Sequence, residues 1–387
     1  MERFYRQFLF DGILPFWREH GIDRTHGGLL TCLDDAGQLM SSDKFVWSQA
    51  RGVWTFAAIY RRLQPDPELL DIAVQTAEFC LTHAFQADGR VCFRLSQQGE
   101  VLEGPTSIYA DLFLAYGLNE LYLATGTDRY REMALQLFKR SAGEIQKPYF
   151  DKLAPYALPP GVAWVHGPPM IALETANELL EGGSDPEILA FVDWALDRIM
   201  RHHRRPEMRT LLEHLGPADE FIDSPPGRAV VPGHSIESMW FVIHAALRLN
   251  RPALVQEATE VIRWMVEAGW DAEFGGLFLG RDSEGIEPPW YANADKKLWW
   301  VHCEALYALL LCRQLGSGGW SEEWFERIRQ WAFAHHGDGT GEWIQRLDRT
   351  GKPIEELIAL PVKDPFHLPR ALILSIQLLS NKHPYVR

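Results

Sequence analysis

The chain has 387 residues, a formal net charge of −14 and 47% apolar residues, enough for a large core. This charge argues against nucleic-acid binding, which needs a basic face, although local arginines could still serve an anionic substrate. The cysteines lack a C-x-x-C pair, which argues against a disulfide framework or zinc site and predicts a reducing, cytoplasmic compartment; they are Cys32, Cys80, Cys92, Cys303 and Cys312. No stretch fits a signal peptide or a membrane span.

Apolar residues recur with helical spacing in twelve segments. In 298–315 they cover most of the circumference, which predicts an inner helix that is buried on all sides. The segments are roughly 2–19, 45–63, 68–85, 106–124, 128–146, 165–181, 187–203, 232–249, 252–268, 298–315, 321–336 and 364–380.

Four segments between these helices have the pattern of a β-hairpin: a short apolar run, a polar turn with glycine, and a second short run. They are 27–40, 88–102, 275–287 and 341–354. Six helix pairs without a linker predict one domain over 1–387, an all-α (α/α)6 barrel with short hairpins between helix pairs. The alternative is an open helical solenoid. A closed ring is favoured because it buries the faces that an open stack would have to cap.

Two histidines are predicted at helix starts. In VVPGHSIESMWF (230–241) a Pro-Gly break precedes His234, and Glu237 follows on the same helix face. A helix N-terminus disfavours the imidazolium and leaves a neutral base. In KDPFHLPRALIL (363–374) two prolines bracket His367, and Arg370 follows three residues later. The structural alternatives are a capping arrangement for His234 and a loop-filling role for His367.

Two charged residues lie on strongly apolar helices. Glu304 lies in DKKLWWVHCEALYAL (295–309), four residues after Trp300, and a buried carboxylate must be paired or functional. Arg51 lies among aromatic residues in FVWSQARGVWTFAAIY (45–60). The structural alternatives are a salt bridge and an arginine stacked on aromatic rings. The fifteen tryptophans fit either an aromatic core or a carbohydrate cleft.

Together, DKFVWSQARGVWTF, GRAVVPGHSIESMWF, KLWWVHCEALYAL and FHLPRAL resemble the N-acylglucosamine 2-epimerase family, which includes cellobiose 2-epimerases and mannose isomerases. The resemblance runs over nearly the whole chain. It implies an (α/α)6 barrel and reversible epimerisation at C2 of an unphosphorylated aldose, often N-acetylglucosamine. It also implies that His234 and His367 are catalytic, together with Arg51, Glu237 and Glu304, and it matches Arg370 to the second histidine motif.

Two departures concern the branch of the family. The cellobiose and mannose branches carry a further histidine whose position falls near Met170 here, although His166 one turn earlier could reach the same space. Tyr109, with Asp111 two residues later, is not a general feature of the acylglucosamine branch. The substrate-binding candidates are therefore Tyr109, Asp111, Trp300, Arg370, Met170 and His166.

The residue types fit proton transfer beside a carbonyl. One histidine removes the C2 proton, the other returns a proton to the opposite face, and Arg51 stabilises the enediolate. We expect no metal and no required cofactor, because the common metal and phosphate motifs are absent. Some relatives respond to ATP, but no motif here predicts that response.

Several alternatives stay open. They are a mannose–glucose 2-epimerase, a mannose–fructose isomerase, a glycoside hydrolase using Glu237 and Glu304, and a non-catalytic sugar-binding regulator. The expected partner is a monosaccharide or an N-acyl amino sugar, with no nucleic acid and no membrane. The expected assembly is a homodimer.

Overall fold

The computed structural model describes residues 1–287, 289–291, 293–355 and 360–386. In this part of the chain twelve long helices follow one another, and three of them include a π-helical turn: Phe8–Ile13, Ile59–Leu63 and Arg198–His203. The helices are α1 (2–20), α2 (46–63), α3 (Pro67–His83), α4 (Ile108–Thr125), α5 (Asp128–Ile145), α6 (Gly167–Glu181), α7 (186–203), α8 (Pro232–Arg248), α9 (Pro252–Gly269), α10 (Trp299–Gln314), α11 (Gly319–His335) and α12 (His367–Leu379).

The even-numbered helices form a closed inner ring. Each packs on the next, α2 on α4 and so on to α10 on α12, and α12 packs back on α2. Each odd-numbered helix covers the inner helix that precedes it in the chain, and α1 covers α12. The inner helices are apolar around most of their circumference, so that α4 is buried from Ile108 to Leu121 and α6 from Gly167 to Leu180. The predicted (α/α)6 barrel is confirmed, and the open solenoid is wrong.

Short antiparallel strands connect the helix pairs, and they only partly match the predicted hairpins. The pairings are β1 (Cys32–Leu33) with β2 (Leu39–Ser41), β3 (Lys44–Phe45) with β4 (Arg94–Leu95) and β4 with β5 (Val101–Glu103), β6 (Trp164–Val165) with β9 (His214–Leu215), β7 (Arg204–Arg205) with β8 (Thr210–Leu211), β10 (Ala229–Val230) with β11 (Arg281–Asp282), and β12 (Lys297–Leu298) with β13 (Arg346–Leu347).

The hairpins at 27–40 and 88–102 are confirmed by β1–β2 and β4–β5. The hairpin at 275–287 is wrong, because β11 pairs with β10, which precedes α8. The hairpin predicted at 341–354 is reduced to a single local bridge between Leu347 and Pro353. The strand in this segment, β13, pairs with β12 instead. Partners from other connections therefore replace the expected local pairing in the second half of the chain.

These strands surround one end of the barrel, the end at which the inner helices begin. β3 leads directly into α2 and β12 into α10, while one residue separates β6 from α6 and one separates β10 from α8. Proline occupies the first turn of α6 and α8, where its missing N–H costs nothing. We call this end the mouth. The positive ends of the inner-helix dipoles collect there.

The opposite end of the ring is closed by charged side chains. Arg62, only 3% exposed, donates to Glu120 at 2.6 Å and to Glu178 at 2.6 Å, and Arg61 pairs with Glu120 and Glu181. Each carboxylate here has a guanidinium partner, as burial of charge requires. All five cysteines are buried and free. None of the described helices combines the length and the apolar character that a bilayer span requires.

Candidate active site

The two predicted histidines lie at the mouth on two helices that flank α10. His234 is the third residue of α8, and His367 is the first residue of α12. Trp300, the second residue of α10, lies between them: its ring centroid is 5.3 Å from that of His234 and 5.7 Å from that of His367. One indole therefore contacts both imidazoles, and a substrate at this indole would meet both histidines.

His367 is held by a buried carboxylate. Its Nδ1 lies 2.8 Å from Glu304 Oε1, and Glu304 also accepts hydrogen bonds from Trp240 Nε1 at 2.8 Å and from Arg370 Nη2 at 2.8 Å. A carboxylate beside Nδ1 selects the tautomer with the proton on Nδ1. The other nitrogen, Nε2, is then the free basic one.

Glu237 does not bind His234. Arg370 Nη2 donates to Glu237 as well as to Glu304, so one buried guanidinium links the two carboxylates. The carboxylate oxygens and a His367 nitrogen lie within 4.8 Å of one another, a spacing that a metal ion could use. Arg370 already supplies positive charge to this cluster, which supports the prediction that no metal is required.

The carboxylate that faces His234 is Glu213, which the sequence analysis missed. Both of its oxygens lie 3.3 Å from His234 Nδ1. Glu213 is 3% exposed, and its carboxylate also lies 3.7 Å from His166 Nδ1. The other ring nitrogen of His166, Nε2, lies 3.0 Å from Ser238 Oγ. The sequence offers one signal for this role: Glu213 is an acidic residue within the short, mainly apolar stretch Thr210–Leu215. The surrounding segment otherwise has the composition of a loop.

The two histidines have opposite protonation preferences. Desolvation lowers the pKa of His234, but the charge of Glu213 and its hydrogen bond outweigh it, so the pKa of His234 is above its ordinary value. Burial, and then the positive charge of Arg51, lower the pKa of His367 to about 3. Titratable pairs whose environments separate their pKa values are typical of acid–base sites.

Arg51 lies beside the second histidine. Its Nη1 donates to Asp364 Oδ2 at 2.9 Å, and its guanidinium lies over the rings of Phe113 at 4.1 Å and Phe366 at 4.9 Å. The side chain is 14% exposed, so part of Arg51 is accessible at the mouth. Asp364 was missed by the sequence analysis. A carboxylate three residues before a candidate histidine was the available signal.

Three of the substrate-binding candidates lie on neighbouring inner helices: Tyr109 and Asp111 on α4, and Met170 on α6. Tyr109 reaches the start of α6, because its hydroxyl lies 2.6 Å from where a Cβ on Gly167 would be, and Met170 is buried in the core one turn beyond His166. Asp111 does not join them. It is fully buried and pairs with Arg140 of outer helix α5 at 2.8 Å and with Arg90 at 3.9 Å, which makes it a structural ion pair away from the histidines.

Comparison with known proteins identifies the family of this chain. The sequence profile of the family described as N-acylglucosamine 2-epimerase matches residues 28–371. The N-acylglucosamine 2-epimerase of Mus musculus is 30% identical over 380 residues, which cover 96% of this chain and 90% of that protein. The chain belongs to the N-acylglucosamine 2-epimerase family.

Solved structures support the same fold for this family member. Cellobiose 2-epimerase from Bacillus thermoamylovorans superposes with a TM-score of 0.84 at 19% identity, covering 97% of this chain and 98% of that one. A D-mannose isomerase superposes with a TM-score of 0.81 at 16% identity, covering 98% of each chain. At these identities the likeness establishes the barrel and leaves the substrate open.

Proposed function

We propose that this member of the family is a sugar 2-epimerase, an isomerase that interconverts N-acylglucosamine and N-acylmannosamine. The observation that carries the proposal is the pair of histidines on either side of Trp300, one with a raised pKa and one with a pKa lowered to about 3. An inversion at carbon needs one base and one acid, and a histidine pair with separated pKa values can supply both.

The proposed reaction begins on the open-chain aldose. Neutral His367 removes the C2 proton, and the electron pair moves to the carbonyl oxygen, where Arg51 stabilises the enediolate. Protonated His234 then returns a proton to the opposite face of C2, and the carbonyl re-forms. The reverse reaction uses the same two groups with their roles exchanged. No cofactor takes part in these steps.

The substrate proposal rests on the relatives and on the residues at the mouth. The Mus musculus relative carries the name N-acylglucosamine 2-epimerase. The resemblance to the acylglucosamine branch places Met170 where the other branches carry a further histidine. Trp300 offers an aromatic face for the apolar side of a sugar. We therefore favour an N-acyl amino sugar over an unsubstituted hexose or a disaccharide.

Turnover in D2O tests this proposal. Incubation with N-acetylmannosamine, mannose, glucose and cellobiose in separate samples, followed by ¹H NMR, should show N-acetylglucosamine formed from the first, with deuterium at its C2. The deuterium is expected because the acid that protonates C2 exchanges with solvent. Product without deuterium at C2 would contradict two-base proton transfer, and epimerisation of cellobiose alone would contradict the substrate.

A mannose–fructose isomerase is the second candidate, and His166 is the observation that favours it. His166 is fully buried but contacts both Glu213 and Ser238, so a third histidine belongs to the same hydrogen-bonded group. Deuterium at C1 of a ketose product would identify this activity. A glycoside hydrolase is disfavoured, because its two candidate carboxylates, Glu237 and Glu304, are both bound by Arg370.

The contact between Trp300 and Gly233 gives a prediction about the sugar platform. A Cβ on Gly233 would lie 2.5 Å from the Trp300 ring, so Gly233→Ala must displace the indole. Overpacking of this kind costs about 1–3 kcal/mol of folding stability. We also expect KM to rise, because the displaced indole no longer presents its face to the sugar. Gly143→Ala on α5 is the control, because nothing lies within 4 Å of its added Cβ. Unchanged kinetics for Gly233→Ala would rule out Trp300 as the platform.

We also propose a reducing, cytoplasmic setting, which the five free and buried cysteines support. Thiol titration under native and denaturing conditions measures this directly. The homodimer stays a prediction.

A further inference from the structure

Two histidine–carboxylate pairs lie at the mouth, and they differ in one respect. The pair of His367 and Glu304 includes Arg370, which bonds to Glu304 Oε1 at 2.8 Å. The pair of His234 and Glu213 has no such cation. Within the described residues, Glu213 makes ion-pair contacts with His234 and His166 and with no lysine or arginine. Glu304 therefore shares a guanidinium partner with Glu237, whereas the ion-pair partners of Glu213 are histidines.

Glu213 is fixed in place by its backbone as well as by its side chain. Its N–H donates to the carbonyl of Ala229 at 3.2 Å, and its carbonyl accepts from the N–H of His166 at 2.9 Å. These bonds tie the loop between β8 and β9 to the starts of α6 and α8. The residue is 3% exposed, so its carboxylate cannot turn to bulk water for solvation.

A buried carboxylate without a cation is costly, so Glu213 must take its countercharge from a histidine. The positive charge of His234 and the hydrogen bonds from both histidines hold the pKa of Glu213 well below its ordinary value, against the effect of burial. Glu237 also faces His234. The other titratable groups around Glu213 are His203, His214, Tyr109, Tyr156 and Tyr291.

We propose that Glu213 is the positioning residue that keeps the transferable proton on His234 between turnovers. Burial and the positive charges of Arg51 and Arg370 favour the opposite, neutral state of His367. The proposal rests on the proposed function, because it assigns the acid and the base of that reaction. The carboxylate without a cation beside His234 and the guanidinium groups beside His367 decide which histidine starts as the acid.

The proton balance of the reaction requires both histidines to be reset after each turnover. One turnover moves a proton from His234 to C2 and another from C2 to His367, so the two histidines end in exchanged states. The next turnover in the same direction requires that His367 release its proton and His234 regain one. The side chain of His234 is 31% exposed, which gives water access for this exchange, and Glu213 makes the reloaded state the stable one.

Histidine NMR titration tests the proposal without depending on the substrate. His234 and His166 are assigned from the signals missing in His234→Gln and His166→Gln. In the unmodified protein His234 should titrate above its ordinary midpoint. In Glu213→Gln this midpoint should fall by about 1–3 pH units, the effect of removing an opposite charge at this range. Glu213→Asp keeps the charge and should give an intermediate midpoint.

Kinetics give the second readout. Since His234 must be protonated to act as acid, loss of Glu213 should move the basic limb of the kcat/KM profile to lower pH, whereas a merely structural role would lower kcat/KM at every pH. Glu207→Gln is the matched control, because it removes a negative charge from an exposed position in the same segment. It should leave both the titration and the profile unchanged.

Two results would overturn the proposal. The first is a His234 midpoint that is the same in the unmodified protein and in Glu213→Gln. The second is a shift confined to His166. If none of the tested sugars is epimerised but His234 still titrates as expected, the proposed function fails and the role of Glu213 stands.

Discussion

Replacing either His234 or His367 with alanine should abolish net epimerisation, because each direction of the reaction needs one base and one acid. A single acid–base group contributes about 10²–10⁴-fold to a rate, so we expect a loss of at least that size in kcat/KM. The measurement is ¹H NMR of epimer formation, with circular dichroism to show that each variant is folded. His26→Ala, at an exposed position near the first hairpin, is the control and should retain full activity.

Each single variant should keep half of the chemistry. His367 remains in His234→Ala and should exchange the C2 proton of one epimer with D2O, while His234 remains in His367→Ala and should exchange that of the other. The pH dependence should differ as well. His367, with a pKa of about 3, is neutral throughout the working range, whereas His234 has a raised pKa and becomes a base only as pH rises through it. Exchange from the same epimer in both variants would contradict two-sided catalysis.

Replacing Arg370 with methionine should be the most destabilising change at the mouth. The guanidinium is 1% exposed and bonds to both Glu237 and Glu304, so its removal leaves two buried carboxylates without a cation. Breaking a buried ion pair in this way costs about 3–5 kcal/mol. Urea unfolding measures the loss, and epimerase activity should disappear with it, because Glu304 no longer has a fixed position beside His367.

The pH dependence of this loss identifies its cause. Without Arg370 the two buried carboxylates have no cation to offset their charge, so protonation of the folded state should relieve the cost and the deficit should shrink as pH falls from 8 to 5. Arg209→Met is the control, because Arg209 is 61% exposed and its pair with Glu267 is worth about 1 kcal/mol or less. A deficit below about 1 kcal/mol for Arg370→Met, or one independent of pH, would show that the carboxylates do not depend on it.

Much of the fold follows from local patterns. The twelve helices appear as runs of apolar residues with helical spacing, because the face that a helix buries is marked on its own residues. The hairpins at 27–40 and 88–102 were also predictable, since turn and strands are contiguous. The hairpin at 275–287 was not, because β11 pairs with β10, a strand about 50 residues earlier that reaches it only when α8 and α9 pack against each other.

The candidate site divides in the same way. His234, His367, Arg51 and Glu304 were predictable as candidates from local patterns, because a polar group at a helix start or on an apolar helix stands out from its neighbours. Their partners became visible in the folded chain: Glu304 for His367, Glu213 for His234, Arg370 between two carboxylates, and Asp111 against an outer helix. Those pairs join residues 63, 21, 133 and 29 positions apart. Their contacts depend on how six inner helices pack into a ring, and local periodicity carries no information about that packing.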